Sequence, residues 1–125
     1  MARAYRGPRR MLLCVDDSSA ILEYERSLFE MSGYIVVTAE SAGDGLRLAT
    51  NHQFDAVLLD YNMPEMNGHQ LALEIRRIRP ETPVIIFSGA EIPEETHRLV
   101  DAVVQKSEAI RELLPTVERL WERLD

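Results

Sequence analysis

Residues 56–68, AVLLDYNMPEMNG, carry the clearest signal of how this chain folds. The first four residues of this stretch are apolar without alternation, which is typical of a strand that is covered on both faces of a sheet. Asp60 follows directly, and a loop containing proline and glycine comes next. From residue 68 to residue 78 the apolar side chains recur at helical spacing. The stretch therefore predicts a buried strand that ends in a carboxylate and is followed by a helix.

The same alternation of short apolar runs and helical patterns extends in both directions along the chain. Strands are predicted at residues 11–15, 34–37, 56–59, 84–87 and 102–104, and helices at 19–31, 42–51, 68–78, 91–99 and 107–124, the fourth helix having the weakest pattern. Strands separated by helices require crossover connections, so the sheet is parallel and helices cover both of its faces. The pattern predicts a doubly wound α/β domain of five strand–helix units.

The predicted helix ends carry residues that commonly terminate helices. Candidates for the N-cap position are Ser18 or Ser19, Ser41, Asn67 and Ser107. Gly33 follows the first helix, where a C-terminal glycine is expected. Pro115 lies well inside the last helix and removes one of its hydrogen bonds, so we expect a kink or a split there.

Length and charge indicate one acidic domain. The chain has 125 residues, 46% of them hydrophobic, and a net charge of −7. The first ten residues carry Arg3, Arg6, Arg9 and Arg10 without any acid. We expect residues 1–9 to form a flexible basic tail and residues 10–125 to form the domain. Because phosphate binding needs a basic face, we expect no direct contact with nucleic acid.

The apolar runs exclude several other classes of protein. The single cysteine, Cys14, lies in the run MLLCV, so we expect it in the core, and a disulfide within the chain is impossible. No run approaches the ~20 apolar residues of a membrane span, and the N-terminus lacks the apolar core of a signal peptide. We expect a cytoplasmic protein with no membrane partner.

Polar and charged residues follow four of the five predicted strands. They are Asp16 and Asp17 after the first strand, Asp60 after the third, Ser88 at the end of the fourth and Lys106 after the fifth. The carboxyl ends of parallel strands meet at one edge, where such sheets bind ligands. Three neighbouring carboxylates need either a bound proton or a cation to offset their repulsion. Oxygen ligands without histidine or cysteine favour Mg²⁺.

This arrangement is suited to phosphoryl transfer. A carboxylate held in line with a phosphorus atom can attack it to form an acyl phosphate, and Asp60 is the candidate nucleophile. Lys106 would neutralise charge on the phosphoryl oxygens, and Ser88 would donate a hydrogen bond to one of them. The chain has 13 arginines and only this lysine, which favours a requirement for a compact ammonium at position 106.

Four segments resemble the response-regulator receiver domain: LLCVDDS (12–18), AVLLDYNMPEMNGHQLA (56–72), IIFSGA (85–90) and QKS (105–107). The second is the most specific, because Met and Pro follow the Asp at a fixed distance and Gly lies four residues after the Pro. The resemblance implies a flavodoxin-like sheet with strand order 2-1-3-4-5. It also implies that Asp60 accepts a phosphoryl group from a sensor histidine kinase, a phosphotransfer protein or a small phosphodonor.

The resemblance further implies the roles of the surrounding residues. Mg²⁺ would be held by Asp17, Asp60 and the backbone carbonyl of Asn62, with Asp16 helping directly or through water. The phosphoryl group would be bound by Ser88, Gly89 and Lys106. The surface of the fourth helix, fifth strand and fifth helix would then contact an unknown output protein or form a homodimer. Such a domain is a phosphoacceptor rather than an enzyme, although it is expected to take phosphate from small donors and to lose it spontaneously.

The chain departs from the family pattern at three places. Ser107 stands where the family usually has a proline after a cis bond, so we expect either a trans bond with Ser107 capping the last helix or a strained cis bond. Val103 occupies the position of the usual switch aromatic. The interval from Ser88 to Lys106 is shorter than usual, in agreement with the weak fourth helix.

Two other functions stay open. A Mg²⁺-dependent phosphohydrolase usually carries an Asp-x-Asp pattern on its first strand and needs a cap, neither of which this chain shows. A pseudo-receiver, used only as an interaction surface, is disfavoured by the complete set of Asp, Ser and Lys residues. The three histidines, His52, His69 and His97, lie away from the acidic edge, and we interpret them as surface residues. The sequence ends soon after the last predicted helix, so we expect no attached effector domain.

Overall fold

The computed structural model describes the backbone of residues 9–124, so most of the predicted basic tail lies outside the described residues. Strands and helices alternate along the chain as predicted. The elements are β1 Met11–Val15, α1 Ser19–Glu30, β2 Ile35–Ala39, α2 Ala42–Asn51, β3 Ala56–Leu59, α3 Gly68–Ile78, β4 Val84–Ser88, α4 Glu94–Leu99, β5 Ala102–Gln105, a 3₁₀ turn Lys106–Glu108 and α5 Ala109–Leu124.

The strands form one parallel sheet in the order β2-β1-β3-β4-β5, which confirms the predicted doubly wound, flavodoxin-like topology. Alternate residues of β1 face opposite sides of the sheet. Leu13 and Val15 pack into a core layer with α2 and α3, and Leu12 and Cys14 pack into a second layer with α1 and α5. Cys14 is fully buried, as predicted. Because both faces are covered, the strands read as continuous apolar runs rather than alternating ones.

Three of the predicted N-caps are confirmed. The side-chain oxygens of Ser18, Ser41 and Asn67 accept hydrogen bonds from backbone N–H groups in the first turns of α1, α2 and α3. Each cap satisfies a donor that has no partner inside its own helix. These caps fix where each helix begins after the loop that follows the preceding strand.

The end of α1 explains why β2 begins one residue later than predicted. Gly33 has a φ of 93°, and its N–H donates to the Glu30 carbonyl. The Tyr34 N–H donates back to the Phe29 carbonyl at 3.0 Å, so Tyr34 belongs to the helix terminus and the strand starts at Ile35. This is the hydrogen-bond pattern that a glycine in left-handed conformation allows at a helix C-terminus.

The predictions for the last helix need two corrections. Ser107 lies inside the 3₁₀ turn rather than at an N-cap, because helical geometry already begins at Lys106. α5 is not split at Pro115 but is one continuous helix through it. Both Pro115 and Arg111, whose carbonyl loses its partner, are exposed. Water can satisfy that carbonyl, which lowers the cost of the proline.

The short helix α4 is held by contacts from α3. Nδ1 of His69 lies 2.8 Å from Oγ1 of the fully buried Thr96. Arg76 donates to the Leu99 carbonyl and, at 2.7 Å, to the Asp101 carboxylate. The interpretation of His69 as a surface residue is therefore wrong, since this half-buried side chain joins two helices.

Among residues 9–124, no helix is long and apolar enough to cross a membrane.

Two glycines of α2 provide a test of its packing. A Cβ atom added at Gly45 would lie 2.8 Å from a methyl carbon of Val15, whereas a Cβ at Gly43 would meet nothing within 4 Å. We expect Gly45→Ala to lower the free energy of unfolding by about 1–2 kcal/mol, because the buried, β-branched Val15 cannot rotate away. Gly43→Ala should raise it by about 0.5–1 kcal/mol through helix propensity. Urea unfolding measures both, and equal effects at the two positions would contradict the packing.

Candidate functional site

The three aspartates predicted at the strand ends lie together. Oxygen atoms of Asp16, Asp17 and Asp60 are all within 4.8 Å of one another. The Asp16 N–H donates to the Ala39 carbonyl and the Asp60 N–H to the Val15 carbonyl, so backbone pairing continues one residue past β1 and β3. Asp16 is 1% exposed and Asp60 is 6% exposed, while Asp17 is open to solvent. The sheet itself therefore concentrates negative charge at its edge.

Lys106 lies between two of these carboxylates. Its Nζ donates to Oδ2 of Asp16 at 2.9 Å and to Oδ1 of Asp60 at 3.3 Å. The Nζ atom is also 5.8 Å from the centre of the Phe87 ring. No cis peptide bond occurs between residues 9 and 124, so the Lys106–Ser107 bond is trans. The ammonium thus approaches Asp60 without the proline that usually follows this lysine in the family.

Burial and neighbouring charge shift the pKa values of Asp60 and Lys106. Burial raises the pKa of Asp60, and the Asp16 carboxylate raises it further, while Lys106 opposes both effects. Burial by itself lowers the pKa of Lys106, but hydrogen bonding and attraction to Asp16 and Asp60 outweigh that effect and raise it. The cluster therefore holds more negative charge than Lys106 compensates, which is the condition that favours binding of a cation.

Glu25 is a fourth acid that interacts electrostatically with this cluster, and it was not among the site residues predicted from the sequence. It lies on α1 and is 2% exposed, and its Oε1 has no hydrogen-bond partner among the described residues. Burial raises its pKa well above the usual value, and the charges of Asp16, Lys106 and Asp60 also act on it. The available signal was its position between Leu22 and Phe29 at helical spacing, which places a carboxyl on the apolar face of the helix.

The loop after β3 requires a glycine at position 68, the last residue of the stretch AVLLDYNMPEMNG. The Gly68 N–H donates to the Tyr61 carbonyl at 2.7 Å, and a Cβ atom on Gly68 would lie 2.7 Å from the Asp60 carbonyl oxygen. The first turn of α3 therefore packs directly against the backbone of the candidate nucleophile. Asn62, whose carbonyl is a predicted metal ligand, lies exposed in this loop two residues after Asp60.

Ser88 and Gly89 lie at the end of β4, at the same edge of the sheet. Ser88 is 1% exposed, and its Oγ accepts a hydrogen bond from the Ala90 N–H at 3.1 Å. A hydroxyl that accepts can still donate its own hydrogen. Within residues 9–122, no hydrogen bond joins Ser88 to the carboxylates or to Lys106. Gly89 is exposed, and a Cβ atom added there would meet nothing within 4 Å. Packing therefore does not require a glycine at this position.

The chain matches a family model described as response regulator receiver domain over residues 12–118. This chain belongs to the response-regulator receiver family. Receiver domains take part in two-component signalling, generally as phosphoacceptors rather than as classical enzymes, and they partner with histidine kinases. The acidic cluster is typical of a Mg²⁺ site in this family.

Curated relatives extend the match at the level of sequence. The receiver domain is 31% identical over 117 residues to the response regulator SaeR of Staphylococcus aureus, covering 90% of this chain and 51% of that protein. It is 42% identical over 78 residues to the transcriptional regulatory protein GlrR of Escherichia coli, covering 62% of this chain and 18% of that protein. The chain therefore spans between about a fifth and about half of the length of these relatives.

Solved structures of receiver domains have the same fold. A CheY-like receiver domain protein from Methanospirillum hungatei matches with a TM-score of 0.86 at 29% identity, covering 93% of this chain and 96% of that one. The response regulator TrrA from Thermotoga maritima, solved in complex with Mg²⁺-BeF, matches with a TM-score of 0.84 at 28% identity, covering 89% of this chain and 98% of that one.

The raised pKa values predict how stability of the metal-free receiver domain changes with pH. Glu25 holds its proton above the ordinary pKa of 4.5, so between that value and its raised pKa the folded state binds more protons than the unfolded state. Its contribution to the free energy of unfolding therefore falls as pH rises. We expect Glu25→Gln, which cannot ionise, to become more stable relative to wild type as pH increases from about 4 to 8. Urea unfolding across this range checks it, and a constant difference would contradict the burial argument.

Proposed function

We propose that this receiver domain accepts a phosphoryl group on Asp60 in a Mg²⁺-dependent reaction and signals through protein–protein contacts. The observation that supports the proposal is the position of Lys106, whose ammonium lies between Asp16 and Asp60 in a cluster with excess negative charge. A carboxylate with an adjacent ammonium and two further acids suits phosphoryl transfer.

In the proposed reaction an Asp60 carboxylate oxygen attacks the phosphorus of the donor. The new O–P bond forms as the bond from phosphorus to the leaving atom of the donor breaks, and the leaving group takes that electron pair. Lys106 turns from the carboxylate to the phosphoryl oxygens, and the free hydroxyl hydrogen of Ser88 donates to one of them. Ser88 and Gly89 together would border the phosphoryl group.

The donor chemistry of the site fits Mg²⁺. Asp16, Asp17 and Asp60, with the backbone carbonyl of Asn62, would hold the cation through oxygen atoms only, as Mg²⁺ prefers. When bound, the cation supplies positive charge next to the transferred phosphoryl group. Burial and the Asp16 carboxylate both disfavour the charged form of Asp60. The positive charge of a bound cation should offset both effects.

The phosphoryl donor and the output partner belong to the same proposal. The donor would be a sensor histidine kinase, a phosphotransfer protein or a small phosphodonor such as acetyl phosphate, and the label would be lost again by attack of water. The output partner would be another protein, or a second copy through the face formed by α4, β5 and α5, rather than nucleic acid or membrane. Val103 is half-buried and pairs with Ile86 of β4, so the proposed output surface would have to respond to phosphorylation without the usual aromatic. A cytoplasmic location goes with this proposal.

The test is direct labelling. The protein is incubated with acetyl phosphate and Mg²⁺, and intact-mass spectrometry follows the addition of one phosphoryl group, with EDTA as the control. We expect one label that survives acid and is removed by hydroxylamine, as an acyl phosphate should be. Absence of label would favour a pseudo-receiver, and rapid turnover of many phosphate esters would favour a phosphohydrolase.

A further inference from the structure

One residue of the loop between β4 and α4 is held at both of its backbone groups. The Ala90 N–H donates to Oγ of Ser88 at 3.1 Å, and the Ala90 carbonyl accepts from Nε2 of Gln105 at 3.2 Å. Ser88 and Gln105 are also register partners in the pairing of β4 with β5. The three residues therefore form one hydrogen-bonded unit at the edge of the sheet where the acids lie.

The Gln105 side chain reaches across to this loop instead of capping its own turn. Gln105 occupies the cap position before the 3₁₀ turn, but its side chain makes no cap hydrogen bond. It donates instead to a residue 15 positions earlier in the chain. Gln105 and Ala90 are both half-buried, so water competes only partly for their polar groups. The hydrogen bond therefore restrains the loop from a strand that the sheet holds in place.

This restraint acts on the hydroxyl that would contact the phosphoryl group. A serine oxygen has two lone pairs and one hydrogen. The Ala90 N–H occupies one lone pair of Ser88 and so limits the directions in which the hydroxyl hydrogen can point. Because Ser88 is 1% exposed, water has little access with which to turn the hydroxyl. The position of Ala90 therefore governs how Ser88 presents its hydrogen.

We propose that Gln105 is a positioning residue for phosphoryl transfer to Asp60, acting through Ala90 on the Ser88 hydroxyl. The inference rests on the proposed function of the site. Gln105 holds the Ala90 carbonyl, which keeps the Ala90 N–H on Ser88 and leaves the hydroxyl hydrogen for the incoming phosphoryl oxygen. Within residues 9–122 no side-chain hydrogen bond joins Gln105 to Asp60, so its effect on the reaction is indirect.

Removal of the Gln105 amide tests this role. Gln105→Met keeps an unbranched side chain of similar length and removes the donor. We expect it to slow labelling by acetyl phosphate and Mg²⁺ about fivefold, the effect of one lost neutral hydrogen bond. Gln105→Glu keeps the shape of glutamine without its donor and should slow labelling at least as much. Gln53→Met makes the same exchange at an exposed position before β3 and should label within about twofold of wild type.

A second substitution separates the positioning role from a structural one. Ser88→Ala removes the hydroxyl through which Gln105 is proposed to act, and it should itself label more slowly than wild type. In that background Gln105→Met should change the labelling rate by less than about twofold, because both substitutions remove the same interaction. A residue that only supported the fold would slow labelling by the same factor with and without the Ser88 hydroxyl.

The position of the loop is measured independently of labelling. The backbone amide of Ala90 gives one ¹H–¹⁵N signal, whose chemical shift reports the hydrogen bond to Ser88. We expect this signal to move in Gln105→Met and to keep its wild-type position in Gln53→Met. Amide signals of β1 and β3 at their wild-type positions show that Gln105→Met is folded. Were it unfolded, Gln105→Glu would take its place in each comparison.

The outcomes distinguish the inference from the proposed function. Equal labelling rates for wild type and Gln105→Met would overturn the role of Gln105 and leave the proposed function standing. The same holds if Gln105→Met slows labelling equally with and without the Ser88 hydroxyl, or if the Ala90 signal does not move. If wild-type protein takes no label, the proposed function is wrong and the inference is wrong with it.

Discussion

Replacing Asp60 with asparagine is expected to abolish phosphoryl labelling, by at least about 10³-fold, the scale on which reactions slow when a nucleophile is removed. Asparagine has nearly the shape of aspartate, so the backbone pairing with Val15 and the contact with Gly68 should persist. An amide oxygen cannot form a stable acyl phosphate. Intact-mass spectrometry after incubation with acetyl phosphate and Mg²⁺ measures the loss.

The same substitution should make the metal-free fold more stable. Burial and the Asp16 carboxylate disfavour the charged form of Asp60, so a neutral side chain relieves that cost, while Lys106 keeps its bond to Asp16. Asp44→Asn, on the exposed surface of α2, is the matched control and should change neither labelling nor stability appreciably. Labelling of Asp60→Asn at the wild-type rate would show that another residue accepts the phosphoryl group.

Replacing Lys106 with alanine is expected to lower the free energy of unfolding of the metal-free protein by about 3 kcal/mol at neutral pH. Removal of one partner from a buried ion pair leaves an uncompensated charge. Here the buried side chains of Asp16 and Asp60, 2% and 8% exposed when the backbone is left out, would lose the ammonium that both contact. Urea unfolding measures the loss, which Mg²⁺ or acid should reverse, since either one neutralises the carboxylates.

An exposed ion pair between the 3₁₀ turn and α5 supplies the control for this experiment. Arg111 pairs with Glu108 at 3.2 Å, but its side chain is 78% exposed. Arg111→Ala should change stability by less than about 1 kcal/mol and show no response to Mg²⁺. If Lys106→Ala changed the free energy of unfolding as little as Arg111→Ala and showed no response to Mg²⁺, the prediction would be contradicted. Asp16 and Asp60 would then not depend on the ammonium to offset their negative charge.

The strands and the strand-end residues were predictable because both follow from local pattern. An apolar run such as AVLL is continuous only when both sheet faces are covered, and parallel strands bring their carboxyl ends to one edge. Asp16, Asp17 and Asp60 were found in this way, and the geometry places them together. The caps Ser18, Ser41 and Asn67 were predictable for the same reason, since a cap acts within one turn of helix.

Other features could not be predicted because they depend on neighbours distant in the chain. Ser107 resembles a cap, but the turn that starts at Lys106 places it inside helical geometry. Pro115 is tolerated because it lies on the exposed side of α5, where water can replace the hydrogen bond that the proline removes. His69 carries no local sign that Thr96, 27 residues away, will meet it.

The parallel α/β architecture and the edge of the sheet at which the acids gather could both be predicted before the structure, because periodicity and strand direction are properties of short segments. The hydrogen-bond and ion-pair partners of those acids could not be predicted, because they come from distant parts of the chain. Lys106 contacts Asp16 across 90 residues, and Glu25 is buried with no hydrogen-bond partner for Oε1 among the described residues. Burial and charge compensation arise when segments pack together, so they exist only in the folded chain.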